Sequence, residues 1–352
     1  MKKQSKKKVA VCGCFGGRKG KNIAGQETKT INLFKIADKL SFAKKIDTFS
    51  IRWNFLFILI KIIFLFFWCD TFFLCTSRNG IKKILPLLVF LRKIKFKKTS
   101  ILYFCVGTCP LPSNFVPGGM LLKKDIKIRK YLNHCSQIFA ETQILADEIS
   151  KQFNLVNVSI YKNYQINKDP ISYNKNKHSF PLKMVYFSRI TKKKNYHFIF
   201  EALDRLISSG RNNFYIDFYG IVDENEKKFF FSKIDNKNFF YKGIISQKFS
   251  NDILSKYDFL LFTTSFLEGT PGTIIDAYFA NIPILSQPFW ACDELVRKPD
   301  TGIISNDFFN DLIAVYDNPF LLLKKVDNIY KMALSYSSKY AIDDMKNILI
   351  RF

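Results

Sequence analysis

The chain has 352 residues, of which 48% are hydrophobic, and a formal net charge of +26 at pH 7. This length and apolar content predict two domains with separate hydrophobic cores and exclude a broadly disordered protein. The positive charge is concentrated in residues 1–100, which hold 23 Lys or Arg against four acidic residues. The amino-terminal part is therefore expected to face an anionic partner.

A strand, a glycine-containing loop and a helix open the chain. Lys8–Gly13 predicts the strand, residues 13–25 the loop, and Thr28–Leu40 shows helical spacing. The loop lacks the Gly-x-Gly-x-x-Gly pattern of dinucleotide-binding proteins. The acid that such proteins carry at the end of the second strand is also predicted to be absent, and these two observations exclude NAD as a ligand. Gly25 and Gln26 stand near the start of the helix, where a glycine lets a phosphate or sugar approach the amides. The alternative is an ordinary loop glycine.

Alternating strands and helices continue through the first half and predict a parallel, doubly wound sheet. A polar segment follows and indicates a linker, so we predict a first domain over residues 1–166 and a linker over 167–180. The remaining strands are predicted at 46–51, 69–75, 101–106, 137–140 and 156–161, and the helices at 53–68, 81–91, 126–135 and 142–153.

Residues 53–68 are nearly all apolar, and three interpretations stay open: a buried crossover helix, a helix that also dips into a membrane surface, and a membrane span. A span is disfavoured because sixteen residues reach about 24 Å against about 30 Å of hydrocarbon. Lys61 would also lie in its middle. A nucleic-acid-binding protein is disfavoured because the aromatic residues lie within apolar strands and helices rather than among exposed basic residues.

The eight cysteines form no Cys-x-x-Cys pair and have no His partner at zinc-finger spacing. Free, mostly buried thiols are therefore expected. The amino terminus is not typical of a secretory signal, because the apolar stretch from Val9 to Phe15 is short and contains Gly13. We expect a reducing, cytoplasmic location.

The second half repeats the strand–helix alternation and predicts a second domain over residues 181–335, with a carboxyl-terminal helix over 336–352. The expected fold class is α/β, with two Rossmann-like parallel-sheet domains facing across a cleft and a ligand at the carboxyl ends of the strands. Its strands are predicted at 183–188, 214–219, 239–242, 259–263 and 282–285, and its helices at 196–208, 225–234 and 249–256.

Charged side chains follow two of these strands. Arg189 and Lys194 come after the first, where a planar guanidinium and an ammonium suit a diphosphate. Glu268 and Asp276 are eight residues apart in an acid-Gly-x-Pro turn that runs into a helix near Pro271. Carboxylates around the free amides of a helix start suit a sugar nucleotide. The alternatives are a capping acid with an exposed helical acid, and a solvated basic loop, which we prefer for Lys192 and Lys193.

Taken in order, Arg189, Lys194, the Glu268 turn, Asp276 and the segment Asn281-Ile-Pro-Ile-Leu resemble the carboxyl-terminal domain of retaining, GT-B fold glycosyltransferases of family 4.

The amino-terminal half is similar to family 4 enzymes of bacterial surface polysaccharide assembly in three segments. They are Gly-Gln-x-x-Lys-Thr at 25–30, Phe139-Ala-Glu-Thr and Asn157-Val-Ser-Ile-Tyr-Lys-Asn. The resemblance spans nearly the whole chain, and the Glu268 turn is its most specific part.

This resemblance implies that Arg189 and Lys194 neutralise the departing diphosphate and that Glu268 contacts the donor sugar, so these three are the expected catalytic residues. It implies that Asp276 holds the ribose, that Gly25 lies against the phosphates, and that neither a metal nor a cofactor is needed. The donor-binding residues implied are Gly25, Gln26, Arg189, Lys194, Glu268, Gly269, Thr270, Pro271, Gly272, Thr273 and Asp276.

Three positions depart from the family pattern. Asp276 replaces the usual Glu, Asn195 replaces the Gly that commonly follows the Lys, and Val106-Gly-Thr-Cys-Pro stands where many relatives have a His. The shorter Asp276 predicts a weaker or water-mediated ribose contact. No catalytic base can be named in the amino-terminal domain.

The resemblance implies a glycosyltransferase of hexosyltransferase type. It would move a sugar from a nucleotide-diphosphate sugar to a saccharide or polyprenyl-diphosphate-linked acceptor in surface polysaccharide synthesis. Such an enzyme is expected peripherally on the cytoplasmic face of the membrane, with Lys2–Lys8, Lys93–Lys98 and residues 53–68 as contacts. The alternatives are a GT-B epimerase, a sugar-nucleotide-binding protein without transferase activity, an integral membrane protein and, least favoured, a nucleic-acid-binding protein.

Overall fold

A computed structural model describes residues 6–16, 25–49, 54–95, 98–166, 168–172, 180–235, 237–265 and 267–352. The chain divides into two compact units. The first comprises Met1–Ile166 and Ser337–Phe352, and the second comprises Asn167–Tyr336. Most of the predicted linker, residues 167 and 173–179, lies outside the described residues, as do 17–24 of the predicted amino-terminal loop.

The first unit contains a six-stranded sheet in which every neighbouring pair is parallel. The chain places β2 on one side of β1 and β3 on the other, so the strand order reverses between β1 and β3. In spatial order the strands are β2 (Phe42–Asp47), β1 (Lys8–Gly13), β3 (Thr71–Cys75), β4 (Ser100–Phe104), β5 (Gln137–Ala140) and β6 (Val158–Ile160).

Helices connect these parallel strands, as crossover connections require. Gly13 ends β1 where the backbone comes closest to its neighbours, because a Cβ there would lie 2.4 Å from the Cys75 carbonyl oxygen. The glycine is therefore needed for packing, with or without a ligand. The helices in this part of the chain are α1 (Gly25–Leu40), α2 (Phe55–Trp68), α3 (Arg78–Ile94), α4 (Lys123–Ile126), α5 (Arg129–Leu132) and α6 (Gln143–Phe153).

The second unit contains another six-stranded parallel sheet. Its strand order reverses between β7 and β10. In spatial order the strands are β12 (Gly302–Ile304), β11 (Ile284–Ser286), β10 (Phe259–Phe262), β7 (Leu182–Phe187), β8 (Phe214–Tyr219) and β9 (Phe239–Gly243). Its helices are α7 (Tyr196–Ser208), α8 (Lys227–Lys233), α9 (Ser250–Leu254), α10 (Gly272–Phe279), α11 (Phe308–Asp317), α12 (Phe320–Leu323) and α13 (Val326–Ser335).

Aromatic side chains fill both cores. In the second unit Phe200 stacks on Phe218 with ring centroids 4.9 Å apart, and Phe230 packs on the same group. In the first unit Phe104 lies between Phe73 and Phe139, at 5.0 and 4.8 Å. The aromatic-rich strands therefore serve as core, as the sequence predicts.

The last helix, α14 (Ser338–Arg351), belongs to the first unit. Its buried residues Ala341, Met345 and Leu349 recur every four positions and join the same hydrophobic cluster as Leu33 and Ile36 of α1. The carboxyl-terminal end of the chain thus completes the amino-terminal core.

Two predicted elements are wrong in detail. The strand predicted at 46–51 is β2, four residues earlier, and residues 50 and 51 lie outside the described chain. It is an edge strand with exposed lysines and only Ile46 fully buried, so its apolar pattern is weak. The helix predicted at 126–135 is instead two single turns, α4 and α5, and the buried apolar residues of this segment are few, namely Ile128, Leu132 and Cys135.

Because β2 ends earlier than predicted, it does end on an acid, contrary to expectation. The Asp47 carboxylate accepts backbone N–H groups from Phe15 at 3.0 Å and Phe49 at 2.9 Å. Asp47 therefore links the loop that follows β1 to the end of β2.

Helix α2 is the crossover helix predicted at 53–68, beginning at Phe55, while Trp53 lies outside the described residues. It is not buried all round: one face packs on the sheet and the other is exposed. Within the described ranges, no helix has both the length and the apolar character that crossing a bilayer requires.

All eight cysteines are free thiols, and all except the partly buried Cys14 and Cys109 are buried, which confirms the expectation. Burial raises the pKa of Cys14 to about 11 and also raises the pKa of Cys109. Both side chains are therefore neutral thiols near pH 7 and poor nucleophiles.

Candidate functional site

The strand order of the second sheet indicates where a ligand would bind, beyond the carboxyl ends of two central strands. Strands β7 and β10 are adjacent and parallel, and the chain leaves them in opposite directions. In open α/β sheets, the crevice beyond the carboxyl ends of two such strands is the usual ligand site. The loops after β7 and β10 carry Arg189, Lys194 and Glu268, so the sequence-predicted residues converge at this switch point.

The loop that carries Arg189 is held rigidly against the next strand. Ser188 N–H donates to the Tyr219 carbonyl at 3.1 Å, and the Tyr186 hydroxyl donates to the Arg189 carbonyl at 3.2 Å. A Cβ on Gly220 would lie 1.9 Å from the Ser188 carbonyl oxygen, and Gly220 has a φ of +145°, so only glycine fits. The Arg189 side chain is exposed, and within the described residues its guanidinium has no hydrogen-bond or ion-pair partner.

Lys194 and Glu268 form an ion pair across the two loops. The pair is largely enclosed, with side chains 14% and 13% exposed, and the Thr264 hydroxyl donates to the same carboxylate oxygen at 3.1 Å. Among the described residues the second oxygen, Oε2, has no hydrogen-bond partner. The carboxylate is thus oriented by a cation and a hydroxyl while keeping one oxygen available to an incoming hydroxyl group.

Asn195, which stands where the family commonly has Gly, adopts the left-handed conformation at φ 51° and ψ 33°. Asn is among the few non-glycine residues that tolerate this region. Its side-chain amide donates to Gln287 Oε1 at 2.9 Å, and its position directly precedes α7. Asn195 therefore forms this turn with a residue other than Gly.

Helix α10 begins at the same crevice. It starts at Gly272, after Pro271, as the sequence predicts, and a Cβ on Gly272 would meet open space. The Thr273 hydroxyl donates to the Phe187 carbonyl at 2.6 Å, which fixes the first turn against the end of β7. The free amides of this turn, together with the buried Gly269 and Thr270 before it, form the amide-lined start expected from the sequence.

Asp276 lies one turn into α10 and is buried, contrary to the alternative of an exposed helical acid. Its Oδ1 accepts from Lys168 Nζ and from the Ser250 hydroxyl, both at 3.3 Å. Burial raises the pKa of Asp276, and the Lys168 ammonium opposes that rise. A lysine from the predicted linker therefore neutralises this acid.

Gly25 and Gln26 lie in the first unit, at the first turn of α1, as predicted. Gly25 is exposed, and a Cβ there would meet no other atom of the described chain within 4 Å. Packing therefore does not require this glycine. Gln26 is half-buried, and its carbonyl accepts from the Thr30 hydroxyl at 2.9 Å.

Two residues of the amino-terminal motifs form a buried ion pair. Lys29 Nζ lies 2.6 Å from the Glu141 carboxylate, the two side chains being 5% and 3% exposed, and also donates to the Cys105 carbonyl. The motif residues at 25–30 and 139–142 are thus linked to the end of β4. The Lys29 and Glu141 side chains secure this part of the first sheet.

Sequence reasoning missed several residues of the candidate site, among them Gly220, Lys168 and Thr264. Gly220 had a readable signal, since a glycine directly after an apolar strand often marks a close backbone approach. Lys168 carried no such signal, because its partner Asp276 is 108 positions away. Thr264 is only four positions from Glu268, but the loop sequence does not show that the two side chains meet. Lys192 and Lys193 are exposed, in line with the solvated loop preferred for them.

Comparison with known proteins identifies similar folds but no similar sequences. No protein-family profile matches the chain, and no curated protein matches it in sequence. HepE of Anabaena, solved in complex with UDP-glucose, superposes with a TM-score of 0.73 at 12% identity, covering 98% of this chain and 100% of HepE. Sucrose-phosphate synthase of Thermosynechococcus elongatus gives a TM-score of 0.73 at 8% identity, covering 98% of each chain.

TarM of S. aureus, solved as a mutant with UDP, fondaparinux and α-GlcNAc-glycerol, gives a TM-score of 0.58 at 17% identity. That match covers 79% of this chain and 55% of TarM. At these identities the likeness establishes the fold alone. The chain has the predicted α/β fold of two Rossmann-like parallel-sheet domains, the GT-B fold.

Proposed function

We propose that this protein is a retaining glycosyltransferase that uses a nucleotide-diphosphate sugar. The observation that carries the proposal is the convergence of Arg189, Lys194, Glu268 and the start of α10 at the β7–β10 switch point. The similarly folded HepE and TarM were solved with UDP-glucose and UDP respectively, which supports a nucleotide-sugar donor. The order of the motifs supports membership of family 4.

The diphosphate of the donor would lie beside Arg189 and Lys194. The unpartnered guanidinium can bind two phosphate oxygens, and the Lys194 ammonium, which is paired with Glu268, has further N–H groups that can donate to the phosphates. As the bond from the anomeric carbon to the phosphate oxygen breaks, both cations stabilise the charge that develops on the leaving group. No metal is required in this proposal because the cations are supplied by the chain.

Sugar transfer then occurs on one face of the donor sugar. The acceptor hydroxyl oxygen bonds to the anomeric carbon as the phosphate leaves, and a phosphate oxygen takes the hydroxyl proton, so atoms and charge balance without a protein base. Glu268 would accept a hydrogen bond from a donor sugar hydroxyl through Oε2, and the backbone of Gly269, Thr270, Pro271, Gly272 and Thr273 would line the donor site, with N–H groups from all of these residues except Pro271. Asp276 would bind the ribose, with Lys168 holding the carboxylate in place.

In the first unit, Gly25 and Gln26 would be donor-binding residues, since the open space at Gly25 leaves room for a phosphate. We place the acceptor, a saccharide or polyprenyl-diphosphate-linked saccharide of surface polysaccharide synthesis, on the same domain. Its basic character supports work at the cytoplasmic face of the membrane, since residues 1–100 hold 23 Lys or Arg and four acidic residues.

Turnover of sugar nucleotides tests the assignment. Glu268→Ala and Arg189→Ala should each lower transfer or donor hydrolysis to background, because they remove a sugar contact and a phosphate contact at the reacting centre. The measurement is release of nucleoside diphosphate from a panel of sugar nucleotides, with circular dichroism to establish that the variants remain folded. Cys109→Ala is the matched control and should retain activity. Full turnover in both site variants would contradict the assigned site.

A further inference from the structure

One face of α2 is a continuous apolar stripe exposed on the surface of the first unit. The stripe consists of Phe57, Ile60, Phe64 and Phe67, at intervals of three, four and three residues, which places them on one side of the helix. Phe57 is 68% exposed and Phe64 is 64% exposed. Every residue of α2 except Lys61 is apolar, and the opposite side, including Ile58 and Ile62, is already buried in the unit.

A stripe of this kind is unusual for a surface helix, whose outward face is normally polar. Helix α3 also has large exposed apolar side chains, with Phe90 and Ile94 exposed by 59% and 51%. Lone exposed apolar residues need no explanation, but several aligned aromatic rings do. The fold of the first unit does not account for this exposed face.

The surroundings of α2 are basic. At its carboxyl-terminal end the Trp68 ring has Lys44 Nζ at 4.6 Å and Lys8 Nζ at 5.8 Å from its centroid. Lys95 Nζ donates to the carbonyls of Phe66 at 2.8 Å and Cys69 at 2.7 Å. Tryptophan beside lysines is typical of the boundary between lipid headgroups and acyl chains.

We propose that this apolar stripe inserts into the surface of an anionic phospholipid bilayer, with α2 lying in the plane of the membrane. The helix has 14 residues, which is about 21 Å of length against about 30 Å of hydrocarbon, so it cannot span. An amphipathic helix in the interface buries its apolar face among the acyl chains while basic residues contact lipid phosphates. Lys61, between the two faces, can extend its ammonium to the headgroups.

A bilayer fits this surface better than a protein partner. The stripe offers four apolar side chains and no hydrogen-bonding group, whereas protein interfaces carry about one hydrogen bond per 100–200 Å². The lysines beside it match anionic headgroups in sign. The lysines attract the protein to the anionic membrane surface, and the apolar side chains of the stripe then insert among the acyl chains.

Flotation with vesicles tests the proposal, using phosphatidylcholine vesicles with and without phosphatidylglycerol. The full chain should float with the anionic vesicles and bind them less at high salt. Phe57→Ser with Phe64→Ser should lower the affinity about a hundredfold, because each half-inserted ring contributes about tenfold. The matched control, Phe320→Ser with Ile350→Ser, removes two exposed apolar residues of other helices and should bind like the unaltered chain.

Three outcomes would overturn the proposal. Equal flotation of the Phe57/Phe64 variant and the unaltered chain would mean that the stripe does not insert. Binding that does not change with salt would remove the role of the basic surroundings. A concentration-dependent dimer that the Phe57/Phe64 variant abolishes, in a protein that does not float, would identify a second copy as the occupant. Flotation measures binding alone, so the result is independent of the proposed sugar transfer.

Discussion

At the scale of single residues, Asn195 shows that a residue other than glycine can form the tight turn before α7. The turn before α7 requires a left-handed residue, and Asn195 meets that requirement at φ 51°. From the sequence, replacement of Gly reads as a weaker match, because a side-chain type does not reveal the backbone angle it adopts. The structure shows that Asn195 adopts the left-handed conformation that a glycine would also allow.

This conformation makes a prediction for stability. Asn195→Ala should lower the free energy of unfolding of the second unit by about 1 kcal/mol, because Ala tolerates the left-handed region poorly. Asn195→Gly should be milder, since glycine keeps the angle and loses only the bond to Gln287. Calorimetric unfolding of both variants measures the difference. A destabilisation of Asn195→Gly greater than that of Asn195→Ala would show that the amide contact, not the backbone angle, matters.

Asp276 and Lys168 predict a pH-dependent stability. Burial raises the pKa of Asp276 and Lys168 opposes this, so Lys168→Met should raise that pKa further. Below the pKa that Asp276 has in the unfolded chain, its carboxyl is protonated in both the folded and the unfolded state, so the shifted pKa does not change the free energy of unfolding. As the pH rises through the folded pKa, the native state must ionise an unpaired buried acid and stability is lost.

The loss caused by Lys168→Met should therefore be about 1–3 kcal/mol larger near pH 7.5 than near pH 4. Urea unfolding at the two pH values measures it. The double variant Lys168→Met with Asp276→Asn is the control and should lose this extra pH dependence. A loss that is equal at both pH values in the single variant would mean that Lys168 does not act through Asp276.

At the scale of elements, the buried pair of Lys29 and Glu141 joins α1 to the end of β5. Lys29→Met leaves a buried carboxylate without its cation and should cost the first unit about 3–5 kcal/mol. Hydrogen exchange of the α1 and β5 amides reports this locally. Lys29→Met with Glu141→Leu removes both charges and should recover much of the loss. A single-variant cost below about 1 kcal/mol would contradict a structural role for the pair.

Sequence patterns predicted the buried elements well and the surface elements poorly. Strands such as β4 and β8 are largely apolar and have a neighbouring strand on each side, and their positions were predicted within a residue or two. The edge strand β2 and the single turns α4 and α5 bury too little to leave a pattern. For α2 the pattern predicted the helix but not its exposed face, because both faces are apolar.

At the scale of the whole molecule, alternating strands and helices were enough to predict two parallel-sheet domains, and the fold is confirmed. The sequence could not show that α14 belongs to the first unit, since that contact joins α1 to residues some 300 positions later. In the candidate site too, some features could be predicted from the local sequence and others could not. Strand ends predicted which charged residues meet after β7 and β10, while partners such as Lys168 depended on tertiary packing.

We propose that the β7–β10 switch point binds a nucleotide-diphosphate sugar. Isothermal titration calorimetry with UDP-glucose and a panel of other sugar nucleotides measures this binding. We predict saturable binding of at least one donor, weakened by roughly tenfold or more in Arg189→Ala, because that change removes a charge-assisted phosphate contact. Binding of no sugar nucleotide, or unchanged affinity in Arg189→Ala, would contradict the account.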